Sequence, residues 1–248
     1  MITLPKDLPG ARKPQIFDGL QEDSLQKILS HSVIQDHDPT HLLVQQGDKP
    51  QGLYLVLEGT LKTLRLNEDG HEATIRMLEP GDTCMEAVLF MGGPSPISVQ
   101  SITKSKLLMI PERTVKKQVL EDSHFAVNIL KIVTHHYKNA MHQIDAMNIK
   151  TPLQRVGYYF LTKHLEAGHD NLEFCLPFRK QTIANYLGMT PETFSRTLKQ
   201  MKGMGIEVED DSIRMKDAFA LCHFCDADTA SLCQRHNKEE CKECPLNH

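Results

Sequence analysis

The sequence predicts an α+β chain: a roll of short β-strands first, one long helix next, then a compact two-helix unit closed by a hairpin. Three observations predict that order. Between His41 and Pro111, apolar and polar residues alternate with the period of strands. From Leu130 to Met147 an apolar stripe runs at three-four spacing with no proline or glycine. From Arg179 to Ile206, two helical patterns flank a glycine, and the second opens on a Thr-Pro pair.

In the strand-rich region, Ala73, Ile75 and Met77 alternate with Glu72, Thr74 and Arg76, while Leu53, Leu55 and Leu57 alternate around Tyr54 and Val56. That period predicts half-buried strands. Asp69-Gly70 is a hairpin signal, and Gly47, Gly52, Gly59 and Gly81 punctuate the other runs, so a small barrel or jelly roll over residues 1–115 is the natural closure. Residues 116–150 then form a helix and hinge. Ser123 is its expected N-cap, and Leu130, Val133, Tyr137, Ala140, Ile144 and Met147 form its stripe up to a boundary at Asn148–Pro152. A sustained heptad on one helix needs a partner, and a second copy of the same helix gives a homodimer; the other reading is a helix lying only on its own roll.

Residues 151–221 hold the two-helix unit. Ile183, Ala184 and Leu187 mark the first helix, Gly188 breaks it, and Thr190-Pro191 starts the second with an N-cap and a proline at the first helical position. In the second helix, Phe194, Leu198 and Met201 form an inner stripe, which leaves Glu192, Ser195, Arg196 and Lys199 on the outer face. Arg suits a bidentate bond to guanine, Glu can accept from cytosine N4, and Ser reaches base edge or phosphate, so this face fits double-stranded DNA in a major groove. Arg179, Lys180, Thr190, Glu192, Thr193, Ser195, Arg196 and Lys199 are the expected DNA contacts, with Lys202 adding to the basic character. The bland alternative is a helical hairpin with a solvated face.

Composition narrows the class. A net charge of -4 permits a local basic face without a chain coated in nucleic acid, and the 40% hydrophobic content contains no apolar run of membrane-spanning length. Met1 to Gly10 lacks the order of a secretory signal, so a cytoplasmic chain without a membrane partner is expected. The sequence shows no glycine-rich phosphate loop, nucleophile elbow or HExxH pair, so it is not expected to be an enzyme.

Residues 222–248 change character, with Cys222, Cys225, Cys233, Cys241 and Cys244 at C-x2-C-x7-C-x7-C-x2-C spacing. Paired thiolates two residues apart bind soft metals, so the five cysteines are expected to hold an iron–sulfur cluster or zinc, with His223 and His236 as substitutes. A thiol-disulfide switch is the third reading. A metal or redox protein built on this tail is the alternative class of function.

The run Leu187-Gly188-Met189-Thr190-Pro191-Glu192-Thr193-Phe194-Ser195-Arg196 resembles the helix-turn-helix of the Crp/Fnr transcription factors, and Gln45 to Leu64, Glu79 to Thr83 and Ser98 to Pro111 resemble their cyclic-nucleotide-binding β-roll. The resemblance spans roughly residues 16 to 221. It implies a winged helix-turn-helix with Glu207 to Met215 as wing, here acidic through Glu209, Asp210 and Asp211, and RNA polymerase as a partner. Glu192, Ser195 and Arg196 resemble the Fnr branch, which implies two-fold sites with TTGAT-like halves and a response to oxygen or nitric oxide. Glu86 keeps one family position for a cyclic nucleotide, yet no Arg follows before Ser101, so cyclic AMP is not expected and a cyclic-nucleotide-responsive regulator is an alternative only. Glu86 to Met91 resembles the nitric-oxide-responsive DNR type, which implies haem, for which Cys84, His135, His136 and His142 are candidate ligands; Cys84 also reads as a buried core thiol and the histidine pair as part of an exposed helix face.

Overall fold

The computed structural model describes residues 14–68, 70, 72–167, 171–210, 212–217 and 219–225. The chain divides into two compact units, Met1–Ala140 and Met141–His248. The predicted helix-to-domain boundary near residue 150 thus lies beyond the division between the two.

The first unit opens with a 3-10 turn at Gln15–Phe17 and helix α1, Glu22–His31. Eight strands follow: β1 Val33–His37, β2 Leu42–Val44, β3 Gly52–Glu58, β4 Leu61–Leu66, β5 Glu72–Leu78, β6 Thr83–Cys84, β7 Ser98–Ser101 and β8 Ser105–Pro111, with helix α2, Glu86–Met91, between β6 and β7. They form two antiparallel four-stranded sheets, ordered β1-β8-β3-β6 and β2-β7-β4-β5. Helix α3, Glu112–Glu121, and the part of α4, Ser123–Ile149, up to Ala140 complete the unit's chain order.

Strand β3 is the centre of this unit. It is buried along both faces from Gly52 to Leu57, so the half-buried expectation is corrected. Tyr54 and Val56 share a core with Leu61, Leu78, Val99 and Leu107 from neighbouring strands. Leu53, Leu55 and Leu57 face a second core with Ile28 of α1, Val115 of α3 and Phe125, Ile129 and Ile132 of α4. Two layers of partner explain why both faces are apolar in a strand of seven residues.

Strand β5 reverses its expected orientation. Thr74 is 3% exposed and Leu78 fully buried, whereas Ile75 is 36% exposed and Ala73 is exposed. Where the pairing with β4 steps from Thr63–Arg76 to Leu64–Thr74, Ile75 is the extra residue of a bulge, and the inward polar groups find partners. The Thr74 hydroxyl donates to Glu72 Oε1 at 3.2 Å, Lys62 Nζ donates to the same oxygen at 2.6 Å, and Arg76 donates to the Thr83 carbonyl at 3.1 Å. A satisfied threonine can replace a hydrophobe inside. The β4–β5 hairpin forms where Asp69-Gly70 predicts it, although Asp69 itself lies outside the described residues.

Asp122, rather than Ser123, caps α4: its Oδ1 accepts from the backbone N–H of His124 at 2.9 Å and of Phe125 at 3.3 Å. The preceding side chain has the reach to the second and third amides of the helix. Across α4 the apolar residues divide. Phe125, Ile129 and Ile132 are buried and Val133 packs against them, while Val127, Leu130, Tyr137, Met141 and Ile144 are exposed at three-four spacing. Val133 therefore belongs to the roll side, a correction to the stripe read from sequence.

The second unit adds α5, Pro152–Ala167, β9, Glu173–Cys175, α6, Lys180–Tyr186, α7, Pro191–Lys202, β10, Ile206–Glu209, and β11, Ser212–Met215. The strands form one antiparallel sheet in the order β10-β11-β9. Phe160, Ile183, Phe194, Met201, Ile206 and Ile213 are at most 1% exposed and form the apolar interior of this unit. Among the described residues, no helix is long and apolar enough to cross a membrane.

Candidate nucleic-acid interface

Helix α7 carries most of the expected DNA contacts, and its start is fixed locally. The Thr190 hydroxyl accepts from the Thr193 backbone N–H at 3.2 Å, and Pro191 occupies the first turn, where a missing N–H costs nothing. Phe194, Thr197 and Met201 are buried, and Leu198 is only half-buried, so Thr197 takes the inner place that spacing gave to Leu198. The Thr197 hydroxyl donates to the Thr193 carbonyl at 2.9 Å, which lets it go inside.

On the other side, Glu192, Ser195, Arg196 and Lys199 are all exposed. Among the described residues, Arg196 donates to the Glu192 carbonyl alone, through Nε at 3.4 Å. The Glu192 carboxyl lies below its ordinary range because its own backbone N–H and the Thr190 hydroxyl stabilise the charged form, with the Arg196 charge adding to them. Thr190 is exposed and Thr193 half-buried at the start of the helix. Arg179 occupies the N-cap position of α6 and is exposed; Lys180 is the first helical residue and half-buried. The structure therefore brings Glu192, Ser195, Arg196 and Lys199 onto one open face, spread over about two helical turns.

The hairpin β10–β11 stands where the wing is expected, with Val208 paired to Ile213. Its carboxylates have local cations: Glu209 lies 3.7 Å from Arg214, which also reaches Glu173 at 3.5 Å, and Glu207 lies 3.2 Å from Lys202. Lys202 is thereby turned toward the wing. Asp211 lies outside the described residues.

Residues that sequence reasoning missed hold the turn between α6 and α7. Gly188 has φ +63°, and the Gly188 and Met189 amides bond back to the Asn185 and Ala184 carbonyls at 3.1 and 3.0 Å, a Schellman closure that favours glycine at that position. Arg155 of α5 and Gln143 of α4 take carbonyls that remain. Both are distant in sequence and no local pattern announces them.

At the end of the described chain, Cys222–Phe224 forms a 3-10 turn, and the Cys225 amide donates to the Cys222 carbonyl at 3.0 Å. Phe224 sits on Gly157 of α5 so closely that a Cβ there would lie 2.3 Å from its ring. The first CxxC pair is thus placed on one anchored turn, with both cysteines half-buried. Cys233, Cys241 and Cys244, with His236, lie outside the described residues.

In the roll, Cys84 is 1% exposed, and burial raises its thiol far above the ordinary range, with Glu86 adding to the rise. Glu86 is 2% exposed; its Oε1 accepts from the Thr83 hydroxyl at 2.6 Å and lies 3.1 Å from His136 Nε2. Burial pushes this carboxyl up, but the His136 hydrogen bond, the Arg76 charge and the Thr83 hydroxyl together hold it below its ordinary range. His136 therefore faces the roll, a correction to the exposed-face reading of the histidine pair, whereas His135 is exposed and lies 2.9 Å from Asn139 Nδ2. His142 is half-buried in the second unit, so the four candidate haem ligands divide between the units.

Residues 35–122 match the family of the cyclic nucleotide-binding domain, and residues 154–224 match that of the Crp-like helix-turn-helix domain. The anaerobic regulatory protein of Pasteurella multocida is 29% identical over 187 residues, covering 73% of this chain and 68% of that protein. The cyclic AMP receptor protein of Thermus thermophilus is 25% identical over 214 residues, covering 83% and 97%. Among solved structures, FixK2 of Bradyrhizobium japonicum shares the fold with a TM-score of 0.70 at 19% identity, covering 79% of this chain and 98% of that one.

Proposed function

This chain belongs to the Crp/Fnr family of DNA-binding transcription regulators, and on that footing we propose that it works as a homodimer reading two-fold sites with TTGAT-like halves under control of a redox or gas signal. One observation carries the DNA reading: Glu192, Ser195, Arg196 and Lys199 stand exposed on the open face of a helix whose other face is buried by Phe194 and Met201. Arg196 would take the guanine, Glu192 the cytosine amino group, and Ser195 a base edge or phosphate, with Arg179, Lys180, Thr190, Thr193 and Lys199 toward the backbone.

The exposed seam Val127, Leu130, Tyr137, Met141 and Ile144 supports a dimer through α4, because it repeats at the heptad spacing of a two-helix contact. Two copies would present two recognition helices to two half-sites. RNA polymerase is the partner that regulation of transcription implies.

For the signal, we propose an iron–sulfur cluster on the tail held by four of the five cysteines, with Cys222 and Cys225 supplying two thiolates from one anchored turn and two of Cys233, Cys241 and Cys244 the others. Such a cluster supplies a centre that oxygen or nitric oxide can alter. The placement of the first pair beside α5 fits this, and zinc is the other metal those thiolates suit. The Pasteurella multocida protein is an anaerobic regulatory protein, which favours the redox reading. Buried Cys84, with its raised thiol, is a poor haem ligand, and Glu86, already bonded to Thr83 and His136, is a poor ribose partner for cyclic AMP.

Fluorescence anisotropy with a two-fold TTGAT duplex tests the reading: the parent should discriminate it from a scrambled duplex, and Arg196→Ala should lose discrimination by about 1–3 kcal/mol. An Arg196→Ala protein that binds as well as the parent overturns the assignment. Metal analysis and an absorption spectrum of protein purified without oxygen test the tail; colourless, zinc-bearing protein rejects a cluster.

A further inference from the structure

We propose that Gln143 and Arg155 are positioning residues for DNA recognition, a clasp that fixes the α6–α7 turn by bonding to the carbonyls of Tyr186, Leu187 and Gly188. The proposal rests on the reading that α7 enters the DNA. It follows from the hydrogen bonds made at the C-terminal end of α6. Ile183, Asn185 and Ala184 are satisfied within the turn, by the amides of Leu187 at 2.9 Å, Gly188 at 3.1 Å and Met189 at 3.0 Å. Tyr186, Leu187 and Gly188 then present carbonyls at the very end of the helix. Gln143 Nε2 donates to the Tyr186 carbonyl at 2.8 Å, and Arg155 Nη1 donates to the Leu187 carbonyl at 2.8 Å and the Gly188 carbonyl at 3.3 Å.

Three consecutive carbonyls are thus held by two side chains from two other helices. The Arg155 charge lies at the negative end of α6, where a cation is favoured. Arg155 is half-buried and makes its bonds to Leu187 and Gly188 through the same Nη1. Met147 closes the same place sterically, its Cε 3.0 Å from where a Cβ on Gly188 would lie. Thr190, the cap of α7, follows two residues after the last clasped carbonyl. Any shift of this turn therefore tilts the start of the recognition helix and the face that carries Glu192, Ser195 and Arg196. Gln143, on α4, makes the end of the long helix part of that positioning.

The test uses the full-length protein and the duplex that the parent selects from a random pool. Binding to this duplex and to a scrambled one is measured over a range of salt for the parent, Gln143→Ala, Arg155→Met and Arg155→Lys, with the folded fraction of each taken from its thermal transition. Arg155→Met should lower the specific-to-scrambled ratio roughly tenfold, and Gln143→Ala by less, since each leaves a carbonyl unpaired at the turn. The slope of affinity against salt should stay at the parent's value, because neither side chain neutralises a phosphate. Arg155→Lys, which keeps the charge and one donor, should recover part of the ratio. Hydrogen exchange of the Leu187 to Thr193 amides should quicken in the same order. Should the parent select no sequence, the DNA reading fails and takes the clasp with it. A parent that discriminates, with folded Arg155→Met and Gln143→Ala keeping its ratio, leaves the reading standing and rejects the clasp. A salt slope reduced by about one in Arg155→Met also rejects it, since Arg155 would then be a phosphate contact.

Discussion

Glu86 in the roll and Glu192 on α7 are both carboxylates held below their ordinary range, yet the causes are opposite. Glu86 is 2% exposed and reaches that state against its burial, through His136, Arg76 and Thr83. Glu192 is exposed and reaches it through its own helix start, chiefly its backbone N–H and the Thr190 hydroxyl. The first has its bonding capacity used inside the protein, while the second keeps its capacity for a partner. The difference extends to the units around them: the roll turns Thr74 and Arg76 inward and pairs them, and the reading unit leaves Ser195, Arg196 and Lys199 outside. A group that is desolvated must be satisfied to be tolerated, and a satisfied group is no longer available for recognition.

The largest expected effect separates the two units. Phe194→Ala removes a ring that is 1% exposed and should destabilise the reading unit by about 3–5 kcal/mol, with little change in the unfolding of the roll. Calorimetry showing one shared transition, shifted as a whole, would break the division. Next, His136→Ala leaves the buried Glu86 carboxylate with one hydrogen bond fewer and should cost the roll about 1–3 kcal/mol.

The pH dependence sharpens the contrast. Because the folded Glu86 carboxyl lies below its unfolded value, its contribution is present above the ordinary carboxylate range and is lost as pH falls through the folded value. Acid titration of stability should therefore be flatter in Glu86→Gln than in the parent; an unchanged profile would remove Glu86 as a contributor. A smaller effect is expected at Thr190→Ala, which should cost roughly 1 kcal/mol through loss of the cap, read as a lowered thermal midpoint of the reading unit. The smallest is Ile75→Thr, predicted to stay within about 0.5 kcal/mol of the parent because that side chain faces outward. A loss of core size there would restore the inward face that alternation suggested.

How far the sequence could be read depended on the range of the interactions involved. Thr190 and Pro191 announce the start of α7 because capping is settled within four residues, and the spacing of Phe194 and Met201 gives its buried face. Alternation in β3 gave a strand without revealing that both its faces are covered, since nothing local states that α1, α3 and α4 lie on one side and a second sheet on the other. In β5 the buried positions are Thr74 and Leu78, not the apolar Ala73 and Ile75, and a bulge in the strand leaves Ile75 without a partner in β4. His136 read as one of an exposed pair until its partner, 50 residues earlier, came into view.

By itself, the sequence determined the order of roll, long helix and winged two-helix unit, the cap and stop of the recognition helix, and the residue types on its outward face. These rest on helix period, strand period and turn chemistry, all of which act over a few neighbours. Only the tertiary structure decided which face of β5 is buried, that Val133 leaves the α4 stripe for the roll, and how Gln143 and Arg155 come to hold a turn 43 and 32 residues away. Those outcomes depend on register and on the packing of distant segments, where a polar group is placed by the partner it meets and not by its neighbours in the chain.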